Sequence, residues 1–325
     1  MATVEQFSDE QSRVCVNLAQ QYAVWMEAQR ALATLPYDLR IKDVSGRRYL
    51  YEITGRDGNG ASLGPLTPTS AKRFDEYRVT KATLKARVEQ SGTALTQSCR
   101  LYRALRLPLL SSDAGAVARE ADRRELLGTS LLVVGTNAVP TYALEANGFV
   151  RDLPDETLDF DMAWVADTKS REPILWPMLK AVDSTYTVNT ERSFQARNAK
   201  AYEVEVLVAP SRSGSMDAKD RPRAVPLPEQ EWLLLGRPVD HVVVCRDGTA
   251  ARIVAPDPRW FALLKLWLAD QDKRTPLKRR KDRLQGQLLL DAVMEQMPHY
   301  PLDAAFEAEL PDELRHVFAV WRDGR

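Results

Sequence analysis

The sequence predicts an α+β fold in which a mixed-sheet core stands between two helical regions. Short apolar runs and alternating apolar and polar residues, which are typical of strands, are concentrated in the central part of the chain. Helical periodicity dominates before and after that part. We therefore predict three domains: a helical region with a β-hairpin over 1–112, a core over 113–257 and a helical region over 258–325.

The composition is that of a soluble globular protein without a dominant charge. The chain has 325 residues, of which 44% are hydrophobic, so it can bury a sizeable core. Lysine and arginine number 45, as do aspartate and glutamate, which excludes a protein that coats nucleic acid through a global basic field. Because no apolar run approaches the roughly 20 residues that cross a bilayer and "MATVEQFSDEQ" lacks a signal-peptide pattern, we predict no membrane contact.

Cysteine and histidine chemistry is not predicted. The 3 cysteines are an odd number at wide and irregular spacing, which fits neither a disulfide framework nor a zinc pattern. We therefore expect reduced thiols and a cytoplasmic location. The 3 histidines are scattered and have no neighbouring cysteine cluster, so a histidine-based metal site is not predicted either.

The N-terminal region is predicted to combine two helices with a hairpin. Apolar residues recur at helical spacing from Ser8 to about Leu35, and the charged, proline-free stretch from Ser70 to Leu107 predicts a long helix. Between them, the alternation in "RRYLYEIT" and the turn cluster "GRDGNG" predict a hairpin. Its arginines and tyrosines could contact a phosphate backbone or could simply be solvated. The segment "RLYRALRLP" could likewise be a basic patch or ordinary surface charge.

The rest of the chain is predicted to contain strands mixed with short helices and then, from Pro258 onward, helices alone. A break in "PLLSSDAGAV" precedes a short helix through Arg124, and "TYALEANGF" predicts a second short helix. Strands are predicted in "LLVVG", "TLDFDMAWV", "AYEVEVLVAP", "WLLLG" and "DHVVVCRDGTAARIV", the last with a hairpin turn at "RDGT". From Pro258 onward the periodicity predicts helices.

Two aspartates share one face of the strand "TLDFDMAWV". Side chains alternate along a strand, so Asp159 and Asp161 point one way and every second apolar side chain points the other, namely Leu158, Phe160, Met162 and Trp164. Two neighbouring carboxylates repel each other unless a positive charge lies between them. Magnesium prefers such oxygen ligands, and two magnesium ions can hold both reacting oxygens of a phosphoryl transfer. The pair therefore predicts a magnesium site.

Two further segments could complete such a site. In "LLVVGTNAVPTYALE", Gly135 and Thr136 follow a buried strand and precede a helix, so they could bind phosphate or could be a turn with a helix cap. In "YEVEVLV", Glu203 and Glu205 share one strand face. One glutamate could provide a third carboxylate, or both could face solvent on an edge strand.

These segments, in this order, resemble the nucleotidyltransferase-fold proteins of the polymerase-beta superfamily. The resemblance rests on "GTNAVPTY", "TLDFDMAW", "YEVEVLVAP", "PDPRWFALLKLWLADQDKR" and "KRRKDRLQGQLLLD". It is closest to a bacterial group whose N-terminal helical and hairpin extension ends in an "SLGP" segment, which stands here at Ser62 to Pro65. The chain is also distantly similar to abortive-infection-type nucleotidyltransferase toxins.

The resemblance implies roles for the residues that match these motifs. Gly135 and Thr136 would hold the nucleotide phosphates, Asp159 and Asp161 would bind magnesium, and Glu205 would be the third acidic residue that helps to activate the acceptor. The superfamily more often has serine at the position of Thr136 and aspartate at that of Glu205. Thr136 keeps the hydroxyl, and Glu205 keeps the charge but is one methylene longer.

In the related toxins, a helical lysine and a later Lys-Asp or Arg-Asp pair also serve the site. The corresponding residues here are Lys265, Lys281 and Asp282. A triphosphate needs local positive charge in a protein without a net positive charge, which agrees with this assignment. Each lysine could instead be a surface residue.

Together these features predict a metal-dependent nucleotidyltransferase that uses two Mg²⁺ ions. It would transfer a nucleoside monophosphate from an NTP, with ATP as one candidate, to a hydroxyl of tRNA, protein or a small molecule and release pyrophosphate. The family analogy adds a possible antitoxin-like partner. The alternative is a catalytically silent module of the same fold that binds nucleic acid or a protein partner.

Overall fold

The computed structural model describes residues 3–155, 157 and 159–324. Leu158, which was predicted on the apolar face of its strand, lies outside the described residues. The chain forms two compact units, one made of Met1–Ala19 with Ser98–Arg325 and the other made of Gln20–Gln97. The fold is α+β with mixed sheets and with helices towards both ends, so the predicted fold class is confirmed.

The first eight elements extend from the N-terminus to the start of the predicted core. They are β1 (Val4–Gln6), α1 (Asp9–Ala33), β2 (Asp38–Val44), β3 (Arg47–Ile53), β4 (Gly60–Pro65), α2 (Pro68–Ala104), β5 (Leu109–Leu110) and α3 (Ser112–Arg123). The two long helices, the hairpin of β3 and β4 and the short helix α3 were all predicted from periodicity and turn residues.

The unit Gln20–Gln97 contains a three-stranded antiparallel sheet in the order β2-β3-β4. One face of this sheet is held by a small core of Leu39, Leu50 and Tyr77, against which Phe74 packs. Strand β2 was not predicted. The apolar pattern in "DLRIKDV" is short, and it becomes a strand because Leu39 and Ile41 share the face that packs on this core.

The central elements alternate between strands and short helices. They are β6 (Leu131–Val134), α4 (Val139–Glu145), β7 (Gly148–Val150), β8 (Asp159–Trp164), α5 (Leu175–Val182), β9 (Thr187–Val188), β10 (Gln195–Arg197), β11 (Glu203–Val208), β12 (Val225–Pro226), β13 (Val239–Cys245) and β14 (Ala250–Ala255). A short 3-10 turn, Gly135–Ala138, joins β6 to α4.

The main sheet has the order β6-β8-β11-β10-β9, and β12 also pairs with β11. Strand β8 runs antiparallel to β6 and parallel to β11. All four residues of β6 are buried, as the continuous apolar run predicted. In β11 the residues Val204, Val206 and Val208 are buried and alternate with partly exposed ones, so one face of this strand belongs to the core.

A second sheet, β14-β13-β5, contains the predicted hairpin of β13 and β14. The predicted strand at "WLLLG" is wrong, because Pro228–Leu234 forms a 3-10 helix. A short apolar run does not by itself distinguish a strand from a buried helical turn. Here Pro228 fixes the first turn, and Trp232 packs edge-on against Trp267, with 5.2 Å between the ring centroids.

The C-terminal part is helical, as predicted. Its helices are α6 (Pro258–Asp270), α7 (Pro276–Gln296), α8 (Ala304–Glu309) and α9 (Asp312–Asp323). Helices α6 and α7 approach each other closely at Gly286, where a Cβ would lie 2.7 Å from the carbonyl oxygen of Ala262. Within the described part of the chain, none of the helices is both long and apolar enough to span a membrane.

Candidate active site

A cavity of about 280 Å³ lies between the main sheet and helices α6 and α7. Its lining combines acidic residues from β8, β11 and the 3-10 helix Pro228–Leu234 with basic residues from the helical region. The charged residues concerned are Asp159, Asp161, Glu205, Glu229, Lys265, Arg274 and Lys278. The cavity therefore brings together three of the sequence-predicted carboxylates and one of the two predicted lysines.

The register of two parallel strands places the carboxylates together. Glu203 is paired with Asp159, and Glu205 is paired with Asp161, so all four side chains belong to the same sheet face. This follows from the twofold alternation of both strands, which the sequence showed, and from their register, which it did not. The opposite face carries buried apolar residues such as Phe160 and Val204.

Asp161 has an unusual electrostatic environment. Burial, together with the charges of Asp159 and Glu205, raises the pKa of Asp161 to about 7, whereas Lys265 and Lys278 act in the opposite direction. The pKa of Glu205 is also raised, first by burial and then by Asp159. The nearby lysines do not fully compensate the negative charge, so these carboxylates favour a ligand that brings positive charge.

Gly135 is required where it stands. Its φ angle is +66°, in the left-handed region that other residues rarely adopt. A Cβ on Gly135 would overlap with the carboxylate of Asp161, because Val134 is the register partner of Asp161 and Gly135 comes next. The glycine thus lets the backbone of this turn approach the carboxylate closely.

Thr136 lies apart from the cavity lining. Its side chain is buried, and its hydroxyl is 3.5 Å from Nε2 of Gln285. The next residue contributes more directly to the carboxylate strand, because Asn137 donates from Nδ2 to the carbonyl oxygen of Asp159 over 2.7 Å. Thr157 also donates from its hydroxyl to the carboxylate of Asp159. These contacts fix the start of β8.

Of the two glutamates, Glu205 is the one that lines the cavity. Gln195 donates from Nε2 to Glu205 over 3.0 Å and to Glu203 over 2.7 Å, so one amide orients both carboxylates. Glu203 is additionally paired with Arg197. An existing arginine partner leaves Glu203 with less capacity for a ligand than Glu205 has.

Lys265 is not a surface residue. Its side chain is 9% exposed, and its ammonium lies 2.9 Å from Oδ1 of Asp282. Asp282 is also buried and accepts from Nε of Arg274 over 2.7 Å. Asp282 therefore does not line the cavity itself but holds two cations, Lys265 and Arg274, that do.

Lys281 lies near this cluster without being part of the cavity lining. Burial lowers its pKa, and the charge of Lys265 lowers it further. Sequence reasoning missed Arg274 and Lys278, which line the cavity, as well as Gln195. The only sequence signal for the two cations was a run of basic residues, "KRTPLKRRK", in which nothing distinguishes the residues that reach the site.

A second cavity of about 510 Å³ begins beside Asp159. It is lined by Asn137 and Thr157, which both hydrogen-bond to Asp159, and also by Tyr202 and Arg246. Both cavities thus approach Asp159, but its side chain lines only the first cavity. A group bound in the second cavity would be adjacent to one bound in the first.

The described residues do not form a complete metal site from protein ligands alone. Within residues 3–155, 157 and 159–324, no group of three or more histidines, cysteines or acidic residues is arranged to hold a metal ion. The available donors are carboxylate oxygens on one sheet face, which is the chemistry that magnesium prefers.

A protein-family model described as Nucleotidyltransferase matches residues 112–311. No curated protein and no solved structure matches the chain. The match covers more than half of the chain, so the chain belongs to this nucleotidyltransferase family. Nucleotidyl transfer is therefore supported as the general activity and a nucleotide as a substrate, and the predicted resemblance to nucleotidyltransferases is confirmed at this level.

Proposed function

We propose that the protein is a metal-dependent nucleotidyltransferase that transfers a nucleoside monophosphate from an NTP to an acceptor hydroxyl and releases pyrophosphate. The observation that carries the proposal is the cavity in which clustered carboxylates of β8 and β11 meet buried and exposed cations of the helical region. In a triphosphate with bound metal cations, the phosphates match the basic residues of the cavity and the metal cations match its carboxylates. Family membership supports the reaction class.

The donor set fits magnesium. Mg²⁺ is usually held by one or two carboxylates together with phosphate oxygens and water, so a third protein ligand is not needed before the nucleotide binds. Asp159 and Asp161 would provide the main ligands and Glu205 the third carboxylate, for two ions when the nucleotide is present. When bound, Mg²⁺ would neutralise charge on the phosphates and on the leaving pyrophosphate.

The side chains of the cavity have separate roles in this proposal. Lys265, Arg274 and Lys278 bind the triphosphate and stabilise the negative charge that develops on pyrophosphate. Asp282 is a positioning residue, because it fixes Lys265 and Arg274 from the protein interior. Gly135 allows the backbone to lie against Asp161. Catalysis would then arise from positioning and charge stabilisation, without a covalent enzyme intermediate.

The acceptor would bind in the second cavity, beside Asp159. Asn137 and Thr157 line this cavity and also hydrogen-bond to Asp159, so a hydroxyl presented there would be next to the carboxylates without entering the nucleotide cavity. Arg246 in the same lining would favour an acceptor with an anionic group, and Asp113 and Asp155 would limit how much negative charge it carries.

The position of the label tests the reaction. The purified protein is incubated with Mg²⁺, cellular RNA and lysate protein and with each NTP, labelled at either the α- or the γ-phosphate. With the α-label we expect a labelled acceptor and unlabelled pyrophosphate, with the γ-label an unlabelled acceptor and labelled pyrophosphate, and with Asp159→Asn no transfer. Transfer from the γ-phosphate instead would identify phosphoryl transfer and would overturn the proposal.

One observation favours the second candidate, a catalytically silent module that binds nucleic acid. In the unit Gln20–Gln97, Arg40 and Lys42 are paired with Tyr51 and Tyr49 on the sheet face opposite the small core. The ammonium of Lys42 lies 4.8 Å from the ring centroid of Tyr51. Basic and aromatic side chains together suit single-stranded nucleic acid. This candidate predicts RNA or DNA binding with no labelled product and no magnesium-dependent NTP binding.

A further inference from the structure

Part of the nucleotide cavity is apolar, which a triphosphate does not require. Helix α6 contributes Phe261, Leu264 and Leu268, whose spacing of three and four positions places them on one helix face. Leu227, immediately before the 3-10 helix Pro228–Leu234, and Leu233, within it, contribute further apolar surface. Such a surface suits a flat, weakly hydrated group.

A polar side chain lies within this apolar wall. Gln230 lines the cavity, is 5% exposed, and its Oε1 has no hydrogen-bond partner among the described residues. Most buried polar atoms in proteins are hydrogen-bonded, because an unpaired one reduces the free energy of unfolding. The contact between Trp232 and Trp267 holds the Gln230 segment against α6. A residue of the cavity wall therefore has an amide oxygen that is covered by protein atoms and that the fold leaves without a partner.

We propose that this wall is the nucleobase subsite of the enzyme and that Gln230 determines which base is accepted; this inference rests on the function proposed above. A primary amide carries a donor and an acceptor side by side, and the edges of nucleobases present complementary pairs. Rotation of the amide about the last side-chain bond of Gln230, a torsion with a broad preference, would present Oε1 to a base stacked between the apolar side chains and give it the partner that it lacks. Glu229, the one carboxylate of this segment in the lining, disfavours phosphate at this end.

The role of Gln230 differs from that of a catalytic residue. It would contact the base and not the reacting phosphate, so its loss should change the choice between NTPs more than the phosphate contacts. A site that hydrogen-bonds its substrate discriminates strongly against analogues that lack the matching group, whereas a purely apolar pocket discriminates weakly.

The test compares wild type with Gln230→Leu, which keeps the approximate volume and removes the amide. Affinity and kcat/KM are measured for ATP, GTP, CTP and UTP, and affinity is measured for inorganic tripolyphosphate. We expect the ratio between the best and the worst NTP to fall about tenfold or more. Tripolyphosphate affinity should be unchanged, and the Tm should be unchanged or higher, because an unpaired buried oxygen is removed.

Gln21→Leu is the matched control, because Gln21 in α1 also has a buried Oε1 without a partner in the described chain and is not part of this cavity lining. It should leave base preference unchanged. An unaltered preference in Gln230→Leu, or an equal loss for all four NTPs and tripolyphosphate, would overturn the base subsite while leaving the transferase activity in place. If wild type bound no NTP at all, both proposals would fall.

Discussion

Glu145 and Asp161 are partly buried carboxylates of the same compact unit, but their surroundings shift their pKa values in opposite directions. Glu145 lies 2.5 Å from Nε2 of His241 and 2.6 Å from Nε2 of His299, and these hydrogen bonds lower its pKa to about 2. Burial, together with the charges of two other carboxylates, raises the pKa of Asp161 to about 7. One carboxylate has partners within the protein, whereas the other is placed among groups that oppose its charge.

Other buried carboxylates of the chain resemble Glu145. Asp220 accepts hydrogen bonds from the backbone of Ile174, Leu175 and Trp176 at the start of α5. Asp257 accepts from the backbone and the guanidinium of Arg259. The fold therefore does supply partners for buried carboxylates, and their shortage around Asp161 marks this site as different. Carboxylates that stabilise the fold are paired, and those of the cavity would be completed by ligands.

The comparison is tested most severely by Asp161→Asn. If Asp161 serves ligands and not the fold, the variant should lose transfer by roughly a thousandfold or more, because a metal-binding charge is removed with little change in volume. Its Tm should be equal to or above that of wild type, since repulsion from Asp159 and Glu205 is relieved. Single-turnover kinetics and thermal unfolding measure the two effects.

The exposed Asp75→Asn in α2 is the control for the amide substitution itself and should change neither property. A large fall in Tm for Asp161→Asn with retained transfer would reverse the comparison, because Asp161 would then be a structural carboxylate like Glu145.

Gly135→Ala tests how closely the backbone must approach Asp161. The added Cβ would sit at a φ of +66° and would also overlap with the Asp161 carboxylate, so that side chain must move. We expect a loss of stability of about 2 to 3 kcal/mol and a fall in activity of roughly a hundredfold. Circular dichroism melts and initial rates provide the measurement.

Gly58→Ala is the control that distinguishes backbone strain at a positive φ from overlap of the added Cβ with a neighbouring side chain. Gly58 has a similar φ of +75°, but a Cβ there meets nothing within 4 Å. Gly58→Ala should lower the free energy of unfolding by about 1 kcal/mol through backbone strain alone and should leave activity unchanged. Equal effects of the two substitutions would mean that contact between Gly135 and Asp161 is unimportant.

The cations of the cavity divide into the same two classes as the carboxylates. Lys265 is buried and paired with Asp282, whereas Lys278 is exposed at the cavity rim. Lys265→Ala should weaken NTP binding about tenfold and also lower stability by roughly 3 kcal/mol, because a buried ion pair is broken. Lys278→Ala should weaken NTP binding by a similar factor with almost no change in Tm.

Titration calorimetry with a nonhydrolysable NTP and parallel melts distinguish the two variants. Identical melting curves would contradict the buried pairing of Lys265. Unchanged affinity in both would confine the phosphate site to the sheet and the turn at Gly135.

The sequence predicted the parts of this arrangement that depend on local periodicity. Alternation in β8 and β11 placed Asp159 with Asp161 and Glu203 with Glu205, and "LLVVG" identified the buried strand that ends at Gly135. The choice between the two glutamates depends on register and on the partner Arg197, and neither can be obtained from one strand alone. Side-chain alternation says which face a residue occupies but not what lies opposite it.

The contributions of the helical region were harder to predict for the same reason. The apolar neighbours in "LLKLW" were a signal that Lys265 is buried, but its partner is 17 residues away on another helix. Lys278 and Arg274 belong to a run rich in cations, and only the packing of α7 against α6 determines which of them reach the cavity. Tertiary packing also decided that "WLLLG" forms a helical turn.

The smallest predicted effect concerns Glu145 and appears as a pH dependence of stability. Its folded-state pKa of about 2 is below the ordinary value of 4.5, so between these pH values the unfolded chain binds more protons than the folded chain. The contribution of Glu145 to stability is therefore present above about pH 4.5 and is lost as the pH falls towards 2. Denaturant unfolding of wild type and Glu145→Gln across this range should give curves that differ by up to about 2 kcal/mol at pH 6 and converge near pH 2. A difference that stayed constant with pH would mean that Glu145 contributes by packing and not by its charge. The contrast with Asp161 would then rest on that residue alone.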